Sequence, residues 1–191
     1  MKRKEQEGGS LEMKRITTSW EFAQYKDQLI NLYIKCFAEY PWNENYTYSK
    51  VEQWFNSMLK YENLILLICT KANIVLGATF CFPAGYQQEI SDCIPVDIKK
   101  ENVIYLAETF VDSDYRRKGI ATLFHDEKIG IAKEKAFEYV IETTSANSKM
   151  FPLMKKRGFE VINKKKRIVT RLIKGQLIKV PDERVIFFKK L

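Results

Sequence analysis

The hydrophobic pattern changes period several times along the chain, and each change predicts an element. Residues 13–17 form a first short strand, and Thr18 or Ser19 then offers an N-cap. The helix that follows carries Phe22, Leu29, Leu32, Tyr33 and Phe37 at mostly helical spacing. Pro41-Trp42-Asn43 breaks it, and a second helix is expected over 48–61, where Val51, Trp54, Phe55, Met58 and Leu59 recur at three and four residues. Two β-rich runs, 64–70 and 74–82, flank Lys71-Ala72-Asn73 and read as an antiparallel hairpin. The polar stretch 83–100, with Gly85 and Pro95, reads as a surface loop near a binding site.

A strand over 102–112 (NVIYLAETFVD) runs into the basic turn DYRRKGIAT, after which Ile120, Leu123, Phe124 and Ile131 lie close to one helical face interrupted by Glu127. Residues 139–143 return as a strand, so the strand–helix–strand order predicts a parallel crossover. A helix over 147–156, weakened by Pro152, ends at Gly158, and 159–162 starts another strand. The segment ending in 184–188 (RVIFF) supplies at least one more. Residues 1–12, through Gly8-Gly9-Ser10, read as a flexible leader, and 13–191 as a single domain.

Composition narrows the chemistry. A chain of 191 residues with 46% hydrophobic content fits one domain with a substantial core. The net charge of +8 suits anionic ligands. Much of the excess lies at the N-terminus and in 163–174 (NKKKRIVTRLIK), read as a solvated face. The basic runs carry no recognisable nucleic-acid-binding motif. Cys36, Cys69, Cys81 and Cys93 show no C-x-x-C spacing and His125 is the single histidine, which disfavours a zinc site and offers no disulfide framework. The cysteines therefore read as reduced thiols, with Cys69 and Cys81 as small buried hydrophobes, and His125 as a surface or packing residue. No apolar run reaches the roughly 18 residues of a membrane span, and the charged start lacks a signal-peptide core, so a cytoplasmic location is expected.

The turn DYRRKGIAT places a lone glycine and three cations where a strand ends and a helix begins, an arrangement that aims unpaired N–H groups at one point and suits a phosphate. Val111, then Arg116-x-x-Gly119-x-Ala121, then Asn147, then Gly158-Phe159 together resemble the GNAT superfamily of acetyl-coenzyme A-dependent N-acetyltransferases, whose signature is [Q/R]-x-x-G-x-[G/A]. The detailed match spans 104–162, and the preceding order of strand, two helices and hairpin agrees.

The resemblance implies an α/β (α+β) fold: a mixed, mostly antiparallel sheet of six to seven strands flanked by helices, with strands four and five parallel and splayed. It implies an enzyme using acetyl-CoA as co-substrate and no metal, with an amine acceptor attacking directly in a ternary complex. Arg116, Arg117, Lys118, Gly119, Ile120, Ala121 and Thr122 would cradle the pyrophosphate through their backbone amides, with side-chain charge secondary. The backbone of Thr109, Phe110 and Val111 would pair with pantetheine, and Asn147 would contact the cofactor or cap the next helix. Lys155, Lys156 and Arg157 would meet the 3′-phosphate or favour a helix C-terminus.

The general base is equally Glu142 or Glu108. The tyrosine that protonates the leaving thiolate in the common family arrangement is replaced by Met154, a side chain with no proton to give, leaving Tyr105, Tyr86 and Ser145 as substitutes. That departure motivates an alternative, a catalytically weak acyl-CoA-binding sensor. The stretch Glu39-Tyr40-Pro41-Trp42-Asn43-Glu44 suits an amine with an apolar body, whether small molecule, protein N-terminus or lysine, or else lets Trp42 close the core. A homodimer is in keeping with the family.

Overall fold

The computed structural model describes residues 10–40, 42–146, 148 and 150–191; residues 1–9, Pro41, Asn147 and Lys149 lie outside these, and with them most of the expected leader and two of the positions singled out above, Pro41 and Asn147. Strand β1 (Glu12–Ile16) leads into α1 (Ser19–Ala38) through a reciprocal cap. The Thr18 hydroxyl accepts the Glu21 N–H at 3.1 Å, and Glu21 Oε2 accepts the Thr18 N–H at 3.0 Å, so two amides that the helix start leaves unpaired are satisfied. Helix α2 (Tyr48–Met58) is shorter than the periodicity predicts. Leu59 caps it, and Tyr61 leaves the helical path to stack on Tyr86 with ring centres 4.1 Å apart.

Strands β2 (Ile65–Lys71) and β3 (Ile74–Pro83) form the expected hairpin, closed by Ala72 and Asn73 at φ values of 49° and 63°. The stretch 83–100 is not a plain surface loop. It folds into a helical turn, Ala84–Tyr86, and the short helix α3 (Gln88–Ser91), because Ala84, Ile90 and Ile94 have apolar surface to bury. Then come β4 (Val103–Val111), α4 (Ile120–Glu134), β5 (Tyr139–Ser145) and α5 (Met150–Lys156), the last beginning two residues before Pro152. A proline lacks only an N–H that the first helical turn does not use, so it is tolerated there.

The largest departure from the sequence reading is the length of the final pair, β6 (Glu160–Ile173) and β7 (Gln176–Lys190). The basic run is strand from 163 to 173, paired from Asn163↔Ile186 to Ile173↔Gln176, with Lys174 in the turn. Its far end is a two-stranded ribbon that leaves Ile168, Leu172 and Leu177 exposed, so no clean apolar alternation marks it in the sequence.

All seven strands form one sheet in the order β1-β2-β3-β4-β5-β7-β6, antiparallel throughout except for β4 beside β5. Helices α1 and α2 cover one face through Phe22, Leu29, Tyr33 and Phe55, while α4 and α5 cover the other through Ile120, Phe124, Ile131 and Met154. Each such buried apolar side chain contributes about 1.5–3 kcal/mol. His125 packs against Phe159, and the four cysteines are free, with Cys69 and Cys81 buried as expected. Among the described residues, no helix is long and apolar enough to cross a membrane.

One irregularity positions the site. Phe80 stands opposite Glu108 but Cys81 stands opposite Leu106, so Ala107 is an extra residue in β4. Such a bulge bends its strand, and the β4–β5 pairing stops at the same place, Leu106↔Glu142. Beyond it the strands part: Thr143, Thr144 and Ser145 pair with β7, while 107–111 keep only β3.

Candidate active site

The basic turn folds as a phosphate cradle would. Arg117 and Gly119 are both left-handed, at φ 61° and 84°, and Gly119 is the N-cap residue of α4. The first helical hydrogen bond runs from the Leu123 N–H to the Gly119 carbonyl at 3.0 Å. The amides of Ile120, Ala121 and Thr122 precede it and have no intrahelical acceptor. A Cβ built on Gly119 meets nothing within 4 Å, so the space before these amides is open. Open space, a concave run of N–H groups and the positive helix end together fit a pyrophosphate.

Arg116 has a different task. Its Nη1 pairs with Glu39 Oε2 at 2.6 Å and its Nε donates to the Val111 carbonyl at 2.9 Å. The side chain thus braces α1 and the end of β4 against the turn. Lys118 lies over the Tyr115 ring, 4.5 Å from its centre. Arg157 pairs with Asp126 at 3.0 Å, while Lys155 and Lys156 are exposed.

The unpaired edge of β4 is narrower than the three expected residues. The Asp112 N–H donates to the Leu76 carbonyl at 2.8 Å and Gly77 stands opposite Val111, so strand alternation turns the Phe110 backbone toward β3 and those of Thr109 and Val111 toward the gap. Thr109 and Val111 line the cavity there, whereas Phe110 sends its ring into the core edge-on to Tyr33, at 5.2 Å and 86°. Because Arg116 occupies the Val111 carbonyl, the Thr109 backbone and the Val111 N–H form the free edge.

A cavity of about 750 Å³ extends from this gap to the space between α1, α2 and the β6–β7 ribbon. Both candidate carboxylates border it, from opposite faces of the sheet. Glu108, after the bulge, shares the α1–α2 face with Tyr105 and Phe110 and is half-buried. Burial pushes its pKa up to about 7, with Glu44 adding to the rise and Arg184, Arg167 and Lys128 opposing it. Glu142 is buried on the α4 face, and its Oε2 has no partner among the described residues. Burial raises its pKa too, against the opposing charge of Lys128. Lys128, itself buried, donates to Thr109 Oγ1 at 3.1 Å.

Met154 is fully buried in the α4–α5 core and does not reach the cavity. Of the three substitutes, Tyr105 lines the cavity; Tyr86 stacks on Tyr61 with its oxygen accepting the Glu62 N–H, and Ser145 is buried away from the opening. Burial, followed by Glu108, raises the Tyr105 pKa, so its hydroxyl keeps its proton.

Toward α1 and α2, Trp42 and Glu44 line the cavity with Phe37, Tyr46 and Trp54. Tyr46 and Trp54 were not singled out by sequence as site residues, although the density of aromatics from Trp42 to Phe55 is a usable signal. Arg167 and Arg184 reach the same cavity from the ribbon, and no local motif marks them.

Comparison with known proteins agrees with this geometry. A search of curated proteins found no match. Similar solved structures include an N-acetyltransferase from Staphylococcus aureus, 13% identical with a TM-score of 0.68 over 95% of this chain and 98% of that one. A ribosomal-protein-alanine N-acetyltransferase from Brucella melitensis is 17% identical with a TM-score of 0.66, covering 94% and 99%. An acetyltransferase of the GNAT family from Streptococcus pneumoniae is 15% identical with a TM-score of 0.63, covering 95% and 100%. At such identities the likeness shows a shared fold. The family model for the acetyltransferase (GNAT) family matches residues 26–159, a span that holds the turn, the gap and both carboxylates. By that match, the chain belongs to the GNAT acetyltransferase family.

Proposed function

We propose that this protein transfers an acetyl group from acetyl-CoA to a primary amine by direct attack in a ternary complex, with Glu108 as general base. The observation that carries the reading is a carboxyl group with a pKa of about 7 on the wall of a cavity that opens at the parting of β4 and β5. An amine attacks only through its lone pair, so a group that accepts its proton near neutrality is what the reaction needs. Glu142 is the weaker candidate. It lies on the α4 face with one oxygen unpartnered, and its surroundings favour a neutral carboxyl.

When bound, acetyl-CoA supplies an acyl group activated as a thioester. The amides of Arg117, Lys118, Gly119, Ile120, Ala121 and Thr122 hold its pyrophosphate, and the Thr109 backbone with the Val111 N–H orients its pantetheine arm. Of the three substitutes for the missing tyrosine, Tyr105 is the one that lines the cavity, and it returns a proton to the departing sulfur.

The burial of Met154 favours a second reading, binding of the cofactor with little turnover. Thiol release measured over a panel of amines separates the two. Turnover above that of a Glu108→Ala/Glu142→Ala double variant supports the enzyme, and coenzyme A binding without such turnover supports the sensor.

A further inference from the structure

The acceptor end of the cavity has two electrical poles. Asp182, with 2% of its side chain exposed, receives Arg184 Nε at 2.7 Å, Arg171 Nη2 at 3.2 Å and Arg167 Nε at 3.3 Å. Three guanidinium groups on one carboxylate leave the cluster with a net positive charge of two. Arg184 meets Asp182 through Nε, and its terminal nitrogens have no other partner among the described residues. It lies over the Trp42 ring at 5.1 Å and lines the cavity together with Arg167. The opposite pole is Glu108 and Glu44, and Arg184 is the strongest counter-charge acting on Glu108. Between the poles the wall is aromatic, formed by Phe37, Trp42, Tyr46 and Trp54.

The ribbon also closes this end. The Leu172 N–H donates to the Asn43 carbonyl at 2.6 Å, and Lys165 Nζ donates to the Glu89 carbonyl at 2.7 Å. These contacts fasten β6 to the α1–α2 loop on one side and to α3 on the other, placing a roof where an extended peptide would need an open trough.

We propose that the acceptor is a free amino acid with an aromatic or large apolar side chain, its amine directed to Glu108 and its carboxylate held by Arg184 and Arg167. The proposal rests on the acetyltransfer reading and specifies its substrate. A carboxylate meeting an arginine fork gains paired, charge-assisted hydrogen bonds, whereas the matching amine without a carboxylate leaves the same guanidinium groups unmatched. Loss of such a pairing corresponds to roughly a ten- to hundredfold drop in specificity.

The test compares L-tryptophan, tryptamine and L-tryptophanamide, which share a ring system and differ at the carboxylate. Thiol release is measured with acetyl-CoA, and calorimetric binding is measured with coenzyme A present. The expected result is a preference of at least tenfold for L-tryptophan over both others. In Arg184→Gln that preference shrinks by about tenfold or more, while Arg184→Lys keeps part of it. Equal or better use of tryptamine overturns the amino-acid proposal but leaves the acetyltransferase reading standing. Preference for the amide overturns it in favour of a peptide N-terminus. Selective binding of L-tryptophan without thiol release supports the acceptor class and counts against acetyltransfer. If Arg184→Gln does not fold, the comparison on the unaltered protein still decides.

Discussion

Replacing Glu108 by glutamine keeps the shape of the side chain and removes its charge, and stability and rate should then move in opposite directions. The folded protein holds this carboxyl at about 7, against an ordinary value of 4.5. A folded pKa above the unfolded one means that the native state binds more protons between those values, so stability falls as pH rises through that window. The difference of 2.5 units is worth at most about 3.4 kcal/mol at 1.36 kcal/mol per unit. Glu108 is half-buried, so solvent screening reduces that to about 1–3 kcal/mol. At pH 9, Glu108→Gln should therefore melt about 2–12 °C above the parent, given some 2–4 °C per kcal/mol for a chain of this size. At pH 4, below both values, the two should nearly coincide.

Over the same range kcat/KM should drop about 10²–10⁴-fold in the variant, and the rising limb near pH 7 should vanish, leaving the limb of the acceptor amine itself. The assays are melting curves at both pH values and thiol release across pH 5–9. A melting difference independent of pH would refute the buried-charge argument. Survival of the limb near pH 7 would refute the assignment of the base and move it to Glu142.

Other perturbations test the rest of the site. Gly119→Glu places an L side chain at φ 84° and a negative charge in the open space before α4, and should raise the coenzyme A dissociation constant at least tenfold by calorimetry, with the domain still folded by circular dichroism. Met154→Tyr sets the usual family hydroxyl into a fully buried apolar position, and should lower stability by about 1–3 kcal/mol in chemical denaturation without speeding thiol release. Asp182→Asn leaves three guanidinium groups without their carboxylate and should cost about 2–4 kcal/mol at pH 7, with faster hydrogen exchange confined to β6 and β7. Burial pushes the Asp182 pKa up, but Arg184 and Arg167 outweigh it and hold it below the ordinary value, so the contribution is present above the unfolded pKa and the gap between parent and variant should close as pH falls through the folded one.

The elements legible in the sequence are those whose signals are local. The Thr18 cap, the periodic faces of α1 and α2, the hairpin at Ala72-Asn73 and the strand–turn–helix around Gly119 each lie within a short window, and all appear near their expected bounds. What escaped depends on pairing at a distance. The ribbon of β6 and β7 is stabilised by cross-strand partners rather than by one apolar face, so its charge reads as solvated surface. The guanidinium of Arg116 belongs to Glu39 and Val111, residues no spacing rule connects to it. Glu108 cannot be ranked against Glu142 from sequence because the face Glu108 takes depends on a bulge that no residue pattern marks, and Tyr46, Arg167 and Arg184 join the cavity only when separate elements converge.

The extra residue at Ala107 also governs how β4 tolerates changes in length. Ahead of it, odd-numbered Val103 and Tyr105 face α1 and α2; after it, even-numbered Glu108 and Phe110 do. The strand is thus two half-strands out of phase, joined by one residue that resets the count. Deleting Ala107 would restore a single phase with Glu108 still opposite Phe80 and Phe110 still opposite Ala78, so both side chains would keep their face while the bend where β4 parts from β5 is lost. Elsewhere in β4 a single insertion or deletion would turn the side chains beyond it to the opposite face, so the strand tolerates a one-residue change of length at Ala107 and only paired changes on either side of it.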